Sequence, residues 1–231
     1  MNPIEAAILD LYNIVDVPPP SAMWPIAPLK PIVDRLPVRC VELPALTCKS
    51  ALDYLGHCGA MPSRAPFVVQ DQATEPLAGF AYQGGECAFL FVNGDDPVVR
   101  RRFSVAHELG HYVLHFRPVV HRWLDALAAG EDVPATLYDA FTVKEIESIE
   151  DPNSSGSHAS REWEANAFAA ALLLPPELVV TRTKAFRSAF PGDQAGLEDY
   201  LAMEFLVSRA AVRRRIADIG SEGADDGRYS K

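Results

Sequence analysis

Cysteine is scarce in this chain and falls in no metal-binding spacing: Cys40, Cys48, Cys58 and Cys87 form no CxxC pair. That excludes a zinc ribbon, and without a secretory segment there is no disulfide framework to expect, so the thiols are read as reduced. Long apolar runs are also missing. No stretch approaches the roughly twenty uninterrupted apolar residues that span a bilayer, and the N-terminus has no basic region followed by a hydrophobic core and a small-residue cleavage site. The expected setting is cytoplasmic, with no membrane partner. Positive charge is in deficit, with 21 Lys+Arg against 31 Asp+Glu and a formal net charge of −10. This excludes a surface built throughout to attract phosphate backbones, so any nucleic-acid contact has to come from a local patch.

What is present is enough apolar material for an interior, 48% of 231 residues, and one stretch whose residue types and spacing demand a particular chemistry. His107-Glu108-Leu109-Gly110-His111 spells HExxH. On a helix, histidines four apart project from one face about a turn from each other, so both imidazoles reach one metal while the glutamate between them stays beside its water. With only six histidines in the chain, composition alone would produce about 0.01 such matches, so chance is a poor explanation. Phe103, Ala106, Leu109, Gly110, Val113 and Leu114 recur at helical spacing around the motif, which predicts a buried helix, and Pro118 is expected to end it.

Around the motif, the first sixty residues are rich in proline (Pro18-Pro19-Pro20, Pro25, Pro28, Pro31, Pro37, Pro44) and read as a wrap over the core, with short helices at Ile4 to Ile14 and Lys49 to Gly56. Pro66 to Val69, Ala78 to Tyr82 and Cys87 to Val92 are β-type runs, the last two separated by a Gly84-Gly85 turn, so a small antiparallel sheet is expected before the motif helix. Beyond it come a helix at Val120 to Ala129, a polar loop at Asp151 to Ser157, a helix at Arg161 to Leu174 stopped by Pro175-Pro176, and helical patterns over 177–190 and 197–219. The tail after Gly220 reads as disordered.

A catalytic zinc keeps three protein ligands and gives its fourth position to water, so HExxH needs one more donor. On the wheel of Arg161 to Ala169, Ala165, Phe168, Ala169 and Leu172 mark the buried side, with Glu162 about 60° from its centre and Glu164 about 100° away on the other flank. Glu162 is the expected ligand and Glu164 the alternative. Asn166, one turn after Glu162, is placed to accept the free ring N–H of a ligating histidine, or is an ordinary surface amide. His115 lies eight residues from His107, about 12 Å along a helix, too far to share its metal; packing or a nearby hydrogen bond is its expected role. His121, His158 and Tyr138 are candidates for stabilising an oxyanion, and nothing local selects among them.

Taken together, Phe103 to His111 and Glu162-Trp163-Glu164-Ala165-Asn166-Ala167-Phe168-Ala169 through Pro175 resemble the corresponding helices of the ImmA/IrrE-type metallopeptidases. The resemblance runs from about residue 65 to 220 and is specific at those two helices. It also favours Glu162, since other HExxH enzymes with a Glu-x-x-Ala-Asp helix ligate through that first Glu; Asn166 departs from them, standing where they have Asp. The resemblance implies an α+β fold: a zincin-like metallopeptidase core with a small antiparallel sheet, the HExxH helix and a Glu-bearing helix, followed by C-terminal helices of helix-turn-helix outline. The expected division is 1–60 wrap, 61–176 zinc metallopeptidase core, 177–220 C-terminal helices and 221–231 tail. It further implies zinc on His107, His111 and Glu162, with Glu108 as base. The substrate would be an XRE-like helix-turn-helix repressor, whose cleavage relieves repression of stress, mobile-element or defence genes. The strand Ala88 to Asn93 is expected to pair with the extended substrate.

Two features suggest regulation. Cys87 opens the strand expected to pass the metal, where a thiolate would occupy the water position and hold the enzyme latent, although a buried structural cysteine is the plainer reading. Ser208 is a helix N-cap, and Arg209, Arg213, Arg214 and Arg215 follow it as a candidate nucleic-acid contact, with single-stranded DNA as the activating signal; packing of these helices on the core is the alternative. The competing function is a non-cleaving DNA-associated regulator or antitoxin-like binding module with a zinc site. Glu108 argues against it, because a structural zinc has no use for a base. A small-substrate aminopeptidase is disfavoured, since no second-metal cluster is visible.

Overall fold

The computed structural model describes residues 2–59, 74–84, 87–129 and 157–225. The chain divides into two compact units: Met1–Val17 with Leu29–Ala169, and Pro18–Pro28 with Ala170–Lys231. The first unit holds the HExxH segment. The division between the units after Ala169 lies inside a helix.

The sheet of the first unit has three strands: β1 (Val38–Leu43), β2 (Gly79–Gly84) and β3 (Cys87–Asn93), in the order β1-β3-β2. The hairpin between β2 and β3 is antiparallel as its glycines foretold, with Gly84 opposite Cys87. The sheet as a whole is mixed, because β1 runs parallel to β3, Val41 opposite Phe91. β1 arises from the proline-rich N-terminal sixty, which therefore contributes a strand to the sheet. The expected strand at Pro66 to Val69 lies outside the described residues. β3 is buried from Ala88 to Val92, an apolar run without alternation, as a strand flanked on both sides requires.

Alternate residues of β3 serve two faces. Phe89 and Phe91 join Val41 and Tyr82 in a cluster with Leu46, Ala51 and Leu55, the last two from α3 (Cys48–His57). That helix is opened by Thr47, whose hydroxyl accepts from the Ser50 N–H while the Ser50 hydroxyl accepts from the Thr47 N–H, a reciprocal cap. Ala88, Leu90 and Val92 are left for α4 (Val98–His111), which packs against β2 and β3. Helices α1 (Pro3–Val15) and α2 (Leu29–Val33) complete the part before β1.

Pro118 does not end the motif helix. The chain passes through one π-helical turn, Tyr112–Phe116, into α5 (Arg117–Ala128). Pro118 is the second residue of α5, just after the π-helical turn. The turn keeps Tyr112, Val113, His115 and Phe116 buried.

Helix α6 (Ser157–Leu173) starts before the expected Arg161 and carries the boundary between the units at Ala169/Ala170. In the second unit, α7 (Pro176–Ala189) begins on a proline at its first position, and α8 (Gln194–Phe205) and α9 (Arg209–Asp225) follow. Leu206, in the left-handed conformation at φ 54°, turns the chain between them, and the Ser208 hydroxyl accepts from the Ala211 N–H to cap α9. Helix α9 continues past Gly220, where the tail was expected to begin. Among the described residues no helix is long and apolar enough to cross a membrane.

Candidate metal centre

Helix α4 presents His107, Glu108 and His111, and α6 brings Glu162 to them. The close approach depends on Gly110. A Cβ there would sit 3.2 Å from the Cα and carbonyl oxygen of Ala165 and from a ring carbon of Phe168. The xG of the motif therefore serves packing between helices, one residue before the second histidine.

The three donors converge. Nε2 of His107 and Nε2 of His111 are 3.1 Å apart; Glu162 Oε2 is 3.3 Å from the first and Oε1 3.3 Å from the second. These are the donors that lie within 4.8 Å of one another. Bonds of about 2.0–2.1 Å to three corners of a tetrahedron separate those corners by about 3.3–3.4 Å. The triangle of donors therefore has the size that one small metal ion needs, and its two-imidazole, one-carboxylate composition is one that transition-metal ions such as zinc accept.

The electrostatics agree with a place for positive charge. The His107 and His111 hydrogen bonds hold the Glu162 carboxyl well below the usual carboxylate range, against its partial burial. Burial works to lower His107, but the Glu162 hydrogen bond, the charges of Glu108 and Glu162 and a hydrogen bond with Asn166 outweigh it and leave it raised. Glu108 is buried; desolvation, opposed by His107 and helped by Glu162, pushes its carboxyl up to about 8. Its side chain lies against Gly79 at the start of β2, where any Cβ would overlap the carboxylate.

The remaining sequence candidates separate. Asn166 donates its amide N–H to the Glu162 carbonyl at 2.8 Å, which leaves its oxygen for the His107 contact. Glu164 is not a donor of the triangle: its Oε2 lies 3.0 Å from His115 Nε2. Cys87 is not one of the triangle donors either; its thiol is directed to the Ala88 carbonyl at 3.5 Å, and burial raises it, opposed by Arg39. β3 is withdrawn as a substrate-pairing strand, since β1 and β2 occupy both of its edges. His121 is exposed on α5, His158 lies in the first turn of α6, and Tyr138 falls outside the described residues.

The arginine cluster of α9 is largely engaged within its own unit. Arg209 pairs with Asp199 at 2.6 Å and Arg213 with Glu198 at 3.4 Å. Arg215 is buried and donates to the Leu174 carbonyl at 3.1 Å, which removes it from any nucleic-acid surface. Arg214 is exposed.

Residues 67–122 match the model of a peptidase family, M78, described as the IrrE N-terminal-like domain. The match supports an ImmA/IrrE-type family and points to a metallopeptidase. It includes β2, β3 and the whole HExxH helix, and stops before α6. No curated protein matches the chain.

Proposed function

We propose that this ImmA/IrrE-type chain is a zinc-dependent endopeptidase whose substrate is a helix-turn-helix repressor of the XRE-like type, cleaved to release transcription of stress, mobile-element or defence genes. The observation that carries the catalytic part is the triangle of His107, His111 and Glu162 with the buried Glu108 carboxylate on the same helix. The donor set argues against a purely structural reading, because the three donors found among the described residues would leave a coordination position for water with a base beside it.

In this reading His107, His111 and Glu162 hold the zinc. When bound, zinc supplies Lewis-acid polarisation of the scissile carbonyl and makes water acidic enough to attack near neutral pH. Glu108 takes the proton of that water and delivers it to the leaving amine. A carboxylate held beside that water is suited to both halves of that transfer. Gly79 keeps room for the carboxylate. The extended substrate lies along the edge of β2 that no strand occupies among the described residues, and β2 begins beside Glu108.

The test is to incubate the zinc-loaded protein with the helix-turn-helix protein encoded beside it, with and without single-stranded DNA, and to map products by mass spectrometry against Glu108→Gln. One defined cut that requires Glu108 is the expected result. A stable complex without cleavage in either condition would replace the peptidase with a binding module.

A further inference from the structure

A second line of contacts leads away from the metal triangle on its buried side. His111 has Nε2 turned to His107 and Glu162, and its Nδ1 is 3.1 Å from Nδ1 of His115. His115, one helical step further and buried in the π-helical turn, has its other nitrogen, Nε2, 3.0 Å from Glu164 Oε2. Two imidazoles and a carboxylate thus form a chain that ends at the surface, where the Glu164 side chain is 41% exposed.

Hydrogen-bond alternation gives this chain one consistent proton arrangement. A carboxylate only accepts, so the proton of His115 belongs on Nε2, facing Glu164. Nδ1 of His115 is then a bare acceptor. The His111 nitrogen that faces it must carry the proton, which leaves His111 Nε2 unprotonated among the other two donors. That is the tautomer a metal requires of a histidine bound through Nε2.

We propose that Glu164 and His115 are positioning residues which, through the two hydrogen bonds Glu164–His115 and His115–His111, fix the tautomer and ring orientation of His111 for metal binding. The inference rests on the reading of His107, His111 and Glu162 as the metal site and extends it by two residues that ligate nothing. It also separates the roles of the two glutamates of α6: Glu162 ligates and Glu164, two residues on, acts through His115.

Because Glu164 is half exposed, its substitution leaves the buried His115 in place. The experiment measures zinc affinity by competition with a chromogenic chelator for the wild type, Glu164→Ala and Glu164→Gln. Nitrogen-15 spectra of the histidines in the same proteins report the His111 tautomer, and urea unfolding of the metal-free forms reports stability. Expected are a dissociation constant raised 10–100-fold by Glu164→Ala, a mixed or reversed His111 tautomer, and recovery of most of the affinity in Glu164→Gln, whose amide oxygen still accepts. Wild-type affinity in Glu164→Ala, or weakened affinity with the Nδ1–H tautomer of His111 intact and metal-free stability lowered in step, would overturn the inference while leaving the metal site standing. Failure of the wild type to bind zinc would overturn the metal site and the inference with it.

Discussion

Gly110 and Ala165 are packed backbone to backbone: a methyl group on the first would stand 3.2 Å from the Cα of the second. This contact sets the distance between α4 and α6, and so the distance between the two histidines and Glu162. Gly110→Ala forces the neighbours to give by a few tenths of an ångström. The expected result is a loss of about 1–3 kcal/mol in the metal-free protein and a zinc affinity weaker by roughly tenfold. Urea unfolding and chelator competition measure the two effects; unchanged affinity would mean that the triangle does not depend on this approach.

Gly79→Ala acts on the other side of α4. The new methyl group would overlap the Glu108 carboxylate, and its three nearest atoms all belong to that side chain. Cleavage of the proposed repressor substrate is expected to fall by roughly 10²-fold, the scale of a misplaced reacting group, with zinc affinity kept within about twofold of wild type. Parallel kcat and affinity measurements separate this from a damaged metal site.

The pH dependence of the metal-free protein carries the sign of Glu108. Its carboxyl ordinarily titrates at 4.5 and is raised to about 8 in the fold, so between those values the folded state holds a proton that the unfolded state has lost. Its contribution is complete below pH 4.5 and disappears as pH rises through 8. His107, also raised, acts in the same direction above 6.5. His115, lowered to about 4 by burial against the Glu164 hydrogen bond, loses stability only as pH falls below 6.5, and Glu162 only below its ordinary range. Stability is therefore expected to drop by about 1–2 kcal/mol from Glu108 alone between pH 6.5 and 8. Glu108→Gln is expected to flatten most of that drop; thermal unfolding of both proteins across this window is the check.

The arginines of α9 are expected to act through stability. Arg215→Ala leaves the Leu174 carbonyl without its donor in a buried place, at a cost of about 1–3 kcal/mol. Arg209→Ala and Arg213→Ala remove exposed ion pairs and should cost below about 1 kcal/mol each. Salt-sensitive binding of single-stranded DNA abolished by Arg213→Ala at unchanged stability would restore the cluster as a nucleic-acid contact.

What could be read from the sequence was local. HExxH declares itself because both histidines and the glutamate sit on one helical turn, and Glu162 could be preferred over Glu164 because its position on the wheel of one helix is set by its neighbours. The Glu164–His115 bond joins residues 49 apart in sequence and exists only once α6 docks on α4, so a hydrogen bond of His115 could be expected but its partner could not. The contact of Gly79 with Glu108 was hidden for the same reason. β1 escaped notice because prolines dominate its surroundings and its partner strand comes some fifty residues later. In α9 the charges were visible and their partners were not, so the sequence left nucleic-acid contact and packing as alternatives for arginines that are partly ion-paired and partly buried.

The central claim is that His107, His111 and Glu162 hold a zinc whose remaining position faces Glu108. Anomalous diffraction at the zinc edge from crystals of the zinc-loaded protein tests it most directly. The expected result is one ion bonded to Nε2 of both histidines and to Glu162 at about 2.0–2.1 Å, with a non-protein ligand next to the Glu108 carboxylate. An ion closed by four protein ligands, or bound elsewhere with these three donors left empty, would contradict the account.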